Sequence, residues 1–183
     1  MLANVLTTLA EQAHLDILQR RDLPGRAARY QAMPAELHPT LGALLRQRYP
    51  QGLYVHQAEA IAAILAGEDV CIATPTASGK SLVFMAAAAH ALKTRPDVRI
   101  LALYPARALI QDQLGKWQNL LRPLYLTPGY IDGGVPVARR ADILDEHALV
   151  LMTPDVAHAW LMSHLDHPSV RNFIRRLQML ILD

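Results

Sequence analysis

The chain has 183 residues, enough for one domain with its own core and a small appendage. A hydrophobic content of 52% excludes a disordered chain, and no apolar run reaches the ~18–20 residues that cross a bilayer. A net charge of +2 gives little whole-molecule attraction to polyanions, although arginine far outnumbers lysine among the 18 basic side chains. Asn4, Thr7, Thr8 and Glu11 interrupt any apolar leader, so no secretory signal is expected. The single cysteine, Cys71, rules out an intramolecular disulfide. It fits a reducing cytoplasm and is expected to be buried as a small apolar side chain.

In chain order, Leu2, Val5, Leu6, Leu9 and Ala13 recur at helical spacing, and Asp22-Leu23-Pro24-Gly25 breaks that helix. A second helix is predicted from about Pro39 to Arg48, closed by Tyr49-Pro50-Gln51-Gly52. Residues 1–50 thus read as a helical appendage whose expected role is packing against the main domain, residues 51–183.

From Val55 helices and strands alternate. Helices are predicted over His56–Ala66, Gly79–Lys93, Ala106–Asn119, Pro136–Asp145, Pro154–Met162 and Pro168–Arg176. Between them come a short buried strand at Asp69–Ala73 and strands at Val98–Tyr104, Ala148–Met152 and Leu177–Leu182. Leu124–Ile131 is a strand interrupted by Pro128-Gly129. This alternation predicts an α/β fold: a three-layer parallel sheet with helices on both faces. Ligands bind such sheets outside the carboxyl ends of the strands, where Thr74, Pro105, Thr153 and Asp183 should gather.

The chemistry concentrates at Thr74-Pro75-Thr76-Ala77-Ser78-Gly79-Lys80-Ser81. A strand, a tight loop ending in Gly-Lys-Ser and an Ala-rich helix have the layout of a phosphate-binding loop. Backbone N–H groups at the helix N-terminus face an anion that the helix dipole also favours. Lys80 reaches β/γ-phosphates and the Ser81 hydroxyl suits Mg²⁺. Thr74 stands where the strict pattern has glycine. Upstream, the Gln57 amide donates and accepts at once, matching the N6/N7 edge of adenine. With Leu53, Tyr54 and His56 beside it, Gln57 reads as an adenine contact. His158, His164 and His167 fit no standard metal spacing and read as surface histidines. Trp117 and Trp160 read as packing residues, and Arg171, Arg175 and Arg176 as a solvated basic face.

The ordered segments resemble superfamily 2 DEAD/DEAH-box helicases. Leu53–Ile61 is similar to their Q motif, Thr74–Ser81 to motif I, and Tyr104–Gln113 to motif Ia. Asp132-Gly133-Gly134 with Pro136 and Arg139-Arg140 resembles motif Ib. Thr153-Pro154-Asp155 resembles the next strand-contacting motif, and Leu180–Asp183 the opening of motif II. The wording of motifs Q, I and Ia most resembles the mitomycin repair factor A type of DNA helicase. The resemblance spans residues 53–183 and implies an incomplete RecA-like P-loop NTPase lobe that uses ATP and Mg²⁺ and binds nucleic acid, DNA above all. It implies that Tyr54, Gln57, Thr74, Thr76, Ala77, Ser78, Gly79, Lys80 and Ser81 bind nucleotide. Lys80 and Asp183 would be catalytic, with Ser81 and Asp183 holding the metal. Arg107, Gly133, Gly134, Thr153 and Asp155 would line a groove for one strand.

Ala106 stands where motif Ia usually has a polar residue, and motif II is cut after its first aspartate, before the glutamate that polarises water. A strand that the family fold inserts between the phosphate-loop strand and the motif II strand is also lacking, so a gap in the sheet is expected. The 183 residues alone are therefore expected to be inactive as an ATPase. A non-enzymatic module binding nucleotide and single strands is the alternative. Another ATPase or a kinase on the same loop would have no use for motifs Ia, Ib and Thr-Pro-Asp.

Overall fold

The computed structural model describes Thr8, Gln12, Ala13, residues 27–75 and residues 78–183. The expected first helix, its break at Asp22–Gly25, and Thr76 and Ala77 of the loop lie outside the described residues. Tyr30–Gln31 (β1) pairs antiparallel with Leu53–Tyr54 (β2). Between them runs α1, Pro39–Arg48. Pro39 occupies the first turn, where its lacking N–H costs nothing, and Arg46 and Arg48 face the negative end of the dipole. There follow α2, Val55–Leu65, and α3, Lys80–Thr94.

The main sheet is parallel. Its strands are β3, Arg99–Leu103; β4, Pro128–Ile131; β5, Leu149–Met152; and β6, Leu177–Leu182, in the order β4-β5-β3-β6. The crossovers are α4, Arg107–Leu121, and α5, Val137–Glu146. After β5 comes a short helix, Pro154–Val156 (α6), which widens into a π-helical turn at Ala157–Leu161 and a 3₁₀ turn at Met162–His164. The helix α7, Pro168–Arg175, leads into β6. Strand β4 begins at Pro128, a position an edge strand tolerates because that N–H is not needed by a ladder.

Period-2 alternation splits the core between two faces. Ile100, Ala102, Leu149, Leu151 and Ile181 face α1, α2, α3 and α4, while Leu101, Val150 and Met152 face α5, the π-turn and α7. Ala86, Ala87, Ala88 and Ala89 are buried along α3, whose small side chains let that helix sit close to its neighbours. Trp117 and Trp160 are buried, one in each core, and are packing residues as expected.

Leu37, Leu41 and Leu45 join the core formed by α3 and the sheet. His38 N–H donates to His90 Nδ1 on α3 (3.1 Å). Burial, then nearby His38 and Arg95, holds His90 below the ordinary imidazole value, which keeps it a neutral acceptor.

Two expectations fail on one segment. Residues 69–73 form no strand, and Cys71 and Val70 are exposed rather than buried. A strand exists only where a neighbouring backbone offers a ladder. The sheet ends at β6, whose Leu180 and Leu182 are 52% and 73% exposed, and no strand bridges from there to residues 69–73. The gap expected from the sequence is therefore present, and it extends to the phosphate-loop segment itself. The helix expected over Pro154–Met162 is α-helical only to Val156. The wider turn beyond it buries Trp160 and Leu161 side by side.

Truncating Leu41 to Ala should cost about 2–5 kcal/mol in a denaturant titration, as removal of a fully buried Leu does; a loss under ~1 kcal/mol would mean that α1 is not part of the core. Tyr104, fully buried at the end of β3, accepts a hydrogen bond from Trp117 Nε1 (3.0 Å). Burial pushes its phenol up from 10.0 to about 12, opposed by the Trp117 bond and aided by Asp183. Between those values the unfolded chain gives up its proton first. Stability should therefore be intact below pH 10 and fall as pH rises towards 12, and Tyr104→Phe should remove that part of the decline in melts run across the window.

Candidate nucleotide and nucleic-acid site

Gly79 is the N-cap of α3, with φ +79, a left-handed conformation that side chains disfavour. A Cβ there would also collide with the Gln57 amide nitrogen. Glycine is needed twice over, for its dihedral and for the close approach. Among the described residues no side chain caps α3, so first-turn N–H groups remain available to an anion. Lys80 Nζ donates to the carbonyls of Thr74 (2.7 Å) and Pro75 (3.2 Å), folding back over its own loop. Thr74 Oγ1 and Ser78 Oγ share a hydrogen bond of 2.7 Å. Ser81 follows Lys80 in the first turn of α3.

Gln57 is only 4% exposed. Its Nε2 donates to Gly79 O (2.9 Å), and its Oε1 accepts from Tyr54 N–H (3.0 Å). The amide therefore ties β2 to the phosphate loop. One amide hydrogen and one oxygen lone pair remain for a base. His56 adds a second tie, with Nε2 3.1 Å from Ser78 O. The Tyr30 and Tyr54 rings stack at 5.3 Å, and Tyr54 and His56 at 5.8 Å. A cavity of about 370 Å³ opens beside these groups, lined by Tyr30, Tyr49, Tyr54, Gln57, Gly79 and Leu82 among others. The sequence reading missed Tyr30 and Tyr49. The Tyr49–Gly52 turn was legible only as a helix stop, and Tyr30 reaches the pocket through its pairing with Tyr54.

A second cluster forms at the carboxyl ends of β3, β4 and β5. Arg107, 64% exposed at the start of α4, places Nε 3.2 Å from Asp132 Oδ2. Asp132, just after β4, is 2% exposed, and its Oδ1 accepts Gly134 N–H at 2.7 Å. A Cβ on Gly134 would lie 2.5 Å from Arg107 Nη2, so the turn needs glycine for this close approach, whereas Gly133 is open. Thr153 is buried, and its carbonyl accepts Ala157 N–H (3.0 Å). Asp155 is exposed in the first turn of α6. Arg107, Gly134 and the segment around Asp132 are thus in direct contact, whereas Thr153 and Asp155 arrive on the neighbouring loop after β5. Asp132 was part of the motif but carried no role in the sequence reading.

Asp183 follows β6 and its N–H donates to Leu103 O (3.1 Å). It lies close enough to Tyr104 to help raise the phenol. The expected surface histidines serve local structure: His164 Nδ1 bonds Trp160 O (2.7 Å), and His167 Nδ1 accepts Ser169 N–H at the start of α7. No helix among the described residues is long and apolar enough to cross a membrane.

This geometry has known counterparts. The ATP-dependent helicase HRQ1 of Saccharomyces cerevisiae is 29% identical over 165 residues, covering 88% of this chain and 15% of its own. An uncharacterized ATP-dependent helicase of Methanocaldococcus jannaschii, MJ1574, is 32% identical over 138 residues, covering 72% of this chain and 20% of its own. Among solved structures, the DUF1998 helicase MrfA bound to DNA and AMPPNP superposes with a TM-score of 0.83 at 25% identity, covering 97% of this chain and 25% of that one. The chain therefore spans a quarter or less of the length of these proteins. The DEAD/DEAH box helicase family matches residues 54–183, well over half of the chain, a span that contains Gln57, the Gly79-Lys80 turn and the Arg107 cluster, and the chain belongs to the DEAD/DEAH box helicases.

Proposed function

We propose that this chain is the ATP-binding lobe of a longer ATP-dependent helicase that acts on DNA, with residues 1–50 as its appendage and residues 51–183 as its RecA-like domain. The observation that carries the reading is that one lobe presents two clusters: a Gly79-Lys80 turn at the N-terminus of α3, gripped by Gln57 and suited to phosphates, and an arginine-glycine surface at the carboxyl edge of the parallel sheet, suited to a sugar-phosphate backbone. The MrfA structure holding both DNA and AMPPNP supports it, as does the short span of the relatives that this chain covers.

The residues fit a magnesium nucleotide. Among the described residues no side chain caps the first turn of α3 after the left-handed Gly79, which leaves its N–H groups for an anion, and Lys80 already meets oxygen acceptors at the loop. Thr74, Thr76, Ala77, Ser78, Gly79 and Lys80 would hold the phosphates, and Tyr54 and Gln57 the adenine. Ser81 and Asp183 supply hard oxygen donors of the kind Mg²⁺ prefers. Bound Mg²⁺–ATP would supply the activated γ-phosphoryl group. Lys80 would exchange its carbonyl partners for phosphate oxygens, stabilising the charge there. Gln57 would spend its free donor and acceptor on the base while keeping its grip on Gly79. Arg107, Gly133, Gly134, Thr153 and Asp155 would hold a single strand through its sugar-phosphate, which positions without reading sequence. The 183 residues alone are expected to bind nucleotide without efficient turnover. The glutamate and arginine fingers implied by the family lie outside them, and such an arginine is worth about 10³–10⁵ in rate.

In the full-length protein, Lys80→Ala should abolish ATP hydrolysis and calorimetric binding of a magnesium–ATP analogue while leaving the thermal melt near the parent value. Turnover at the parent rate would remove the phosphate-loop assignment. Gln57→Ala should weaken both nucleotides by loosening the Gly79 turn, and ATP by about tenfold more than GTP, which presents a different base edge; equal losses for both nucleotides would show that Gln57 acts only on the loop.

A further inference from the structure

The Arg107–Asp132 contact has a direction that bears on the groove. Asp132 is a carboxylate buried to 2% exposure, and a buried charge persists only when it is paired and hydrogen-bonded. Both oxygens are used: Oδ2 by Arg107 Nε at 3.2 Å and Oδ1 by Gly134 N–H at 2.7 Å. The Asp132 carbonyl also accepts Val135 N–H (3.1 Å), which closes the turn around Gly133 and Gly134. One side chain thus fastens the loop after β4 to the first residue of α4, passing over the loop after β5.

The guanidinium is held by its inner edge. Nε meets the carboxylate and Nη2 lies against Gly134, where a Cβ would come within 2.5 Å. Nη1 takes no partner among the described residues, and the side chain is 64% exposed. A guanidinium is a rigid planar fork of five donors, so fixing one edge fixes the aim of the other. An arginine left free on a surface would lose rotamer entropy on meeting a phosphate, whereas this one has already lost it.

We propose that Asp132 is a positioning residue for nucleic-acid binding: it holds Arg107 with its outer edge turned to the groove and sets the Gly133-Gly134 backbone at the same height, so that both meet one stretch of sugar-phosphate. The proposal rests on the groove reading above and adds a residue to it that touches no strand itself. Its consequence has an unusual sign. A carboxylate near a phosphate track repels it, so removing the charge should tighten binding if repulsion were its only effect. Positioning requires the opposite.

The test is a salt titration of a fluorescein-labelled oligothymidylate bound to the full-length protein, read by anisotropy. Arg107→Ala should weaken binding and lower the salt slope by about 0.7, the value for one phosphate on a single strand. Asp132→Asn should weaken binding by about tenfold, a loss on the scale of one charged hydrogen bond, and lower the slope by the same amount although it removes a negative charge. The double variant should be no worse than Arg107→Ala. Arg107→Lys keeps the charge but gives Asp132 a single ammonium to hold, and should lose the slope as Arg107→Ala does. Binding by Asp132→Asn that equals or exceeds the parent's, or additive losses in the double variant, would overturn the proposal. If Asp132→Asn fails to fold, a parent slope in Arg107→Lys overturns it instead. Should Arg107→Ala itself leave binding and slope unchanged, the groove reading fails, and this inference fails with it.

Discussion

The left-handed turn at Gly79, gripped by the Gln57 amide, is the constraint on which the nucleotide end of this lobe depends. Gln57 is nearly inaccessible and bonds at both ends, to Tyr54 N–H and to Gly79 O. Each bond contributes only about 1 kcal/mol net, but leaving such buried groups unpaired costs more. The amide therefore resists being broken piecemeal. Through it β2, the start of α2 and the phosphate loop move together. Because Tyr54 also pairs with Tyr30, the residues before α1 are carried to the same cavity. The residues around β1 reach the cavity by this chain of contacts, and Leu37, Leu41 and Leu45 anchor α1 in the core.

The parallel sheet does the complementary work at the other cluster. Every strand delivers its following loop to one edge, so residues far apart in sequence meet without special folding. The order β4-β5-β3 places the loop after β5 between the two loops that Asp132 and Arg107 join. Thr153 at the start of that loop is buried, and Asp155 two residues on is exposed. The two cores on opposite faces hold the strand ends in register, so the spacing of the groove is set by the sheet and its aim by a few side chains.

Much of this was legible in the chain. Strands β3, β5 and β6 are continuous apolar runs, and the prolines at 39, 136, 154 and 168 sit at or beside helix starts. The alternation placed Pro105, Thr153 and Asp183 beyond the carboxyl ends of strands, where they stand, and Thr74 with them, which follows no strand. What failed, failed for tertiary reasons. Residues 69–73 have the composition of a strand, but composition does not supply the neighbouring backbone that a ladder needs. The π-turn after Val156 escaped because Trp160 and Leu161 both have to reach the core, a demand of packing that helical periodicity does not encode. The double grip of Gln57 was hidden because one amide suits a base edge and a loop carbonyl equally well.

These points together fix how the phosphate loop is supported. In a closed parallel sheet the strand leading into such a loop is clamped on both sides by ladders. Here residues 69–75 pair with no strand among the described residues, and Leu180 and Leu182 of the edge strand β6 are exposed to solvent. The loop is then held from its downstream side, by Gly79 at the N-terminus of α3 and by the ties from His56 and Gln57. Lys80, turned back on the loop, donates to the Thr74 and Pro75 carbonyls and so ties them to α3. An open apolar edge is also a template for another strand. Support from α3 and from the Gln57 and His56 ties therefore stands, for the described part of the loop, where a strand ladder would otherwise stand.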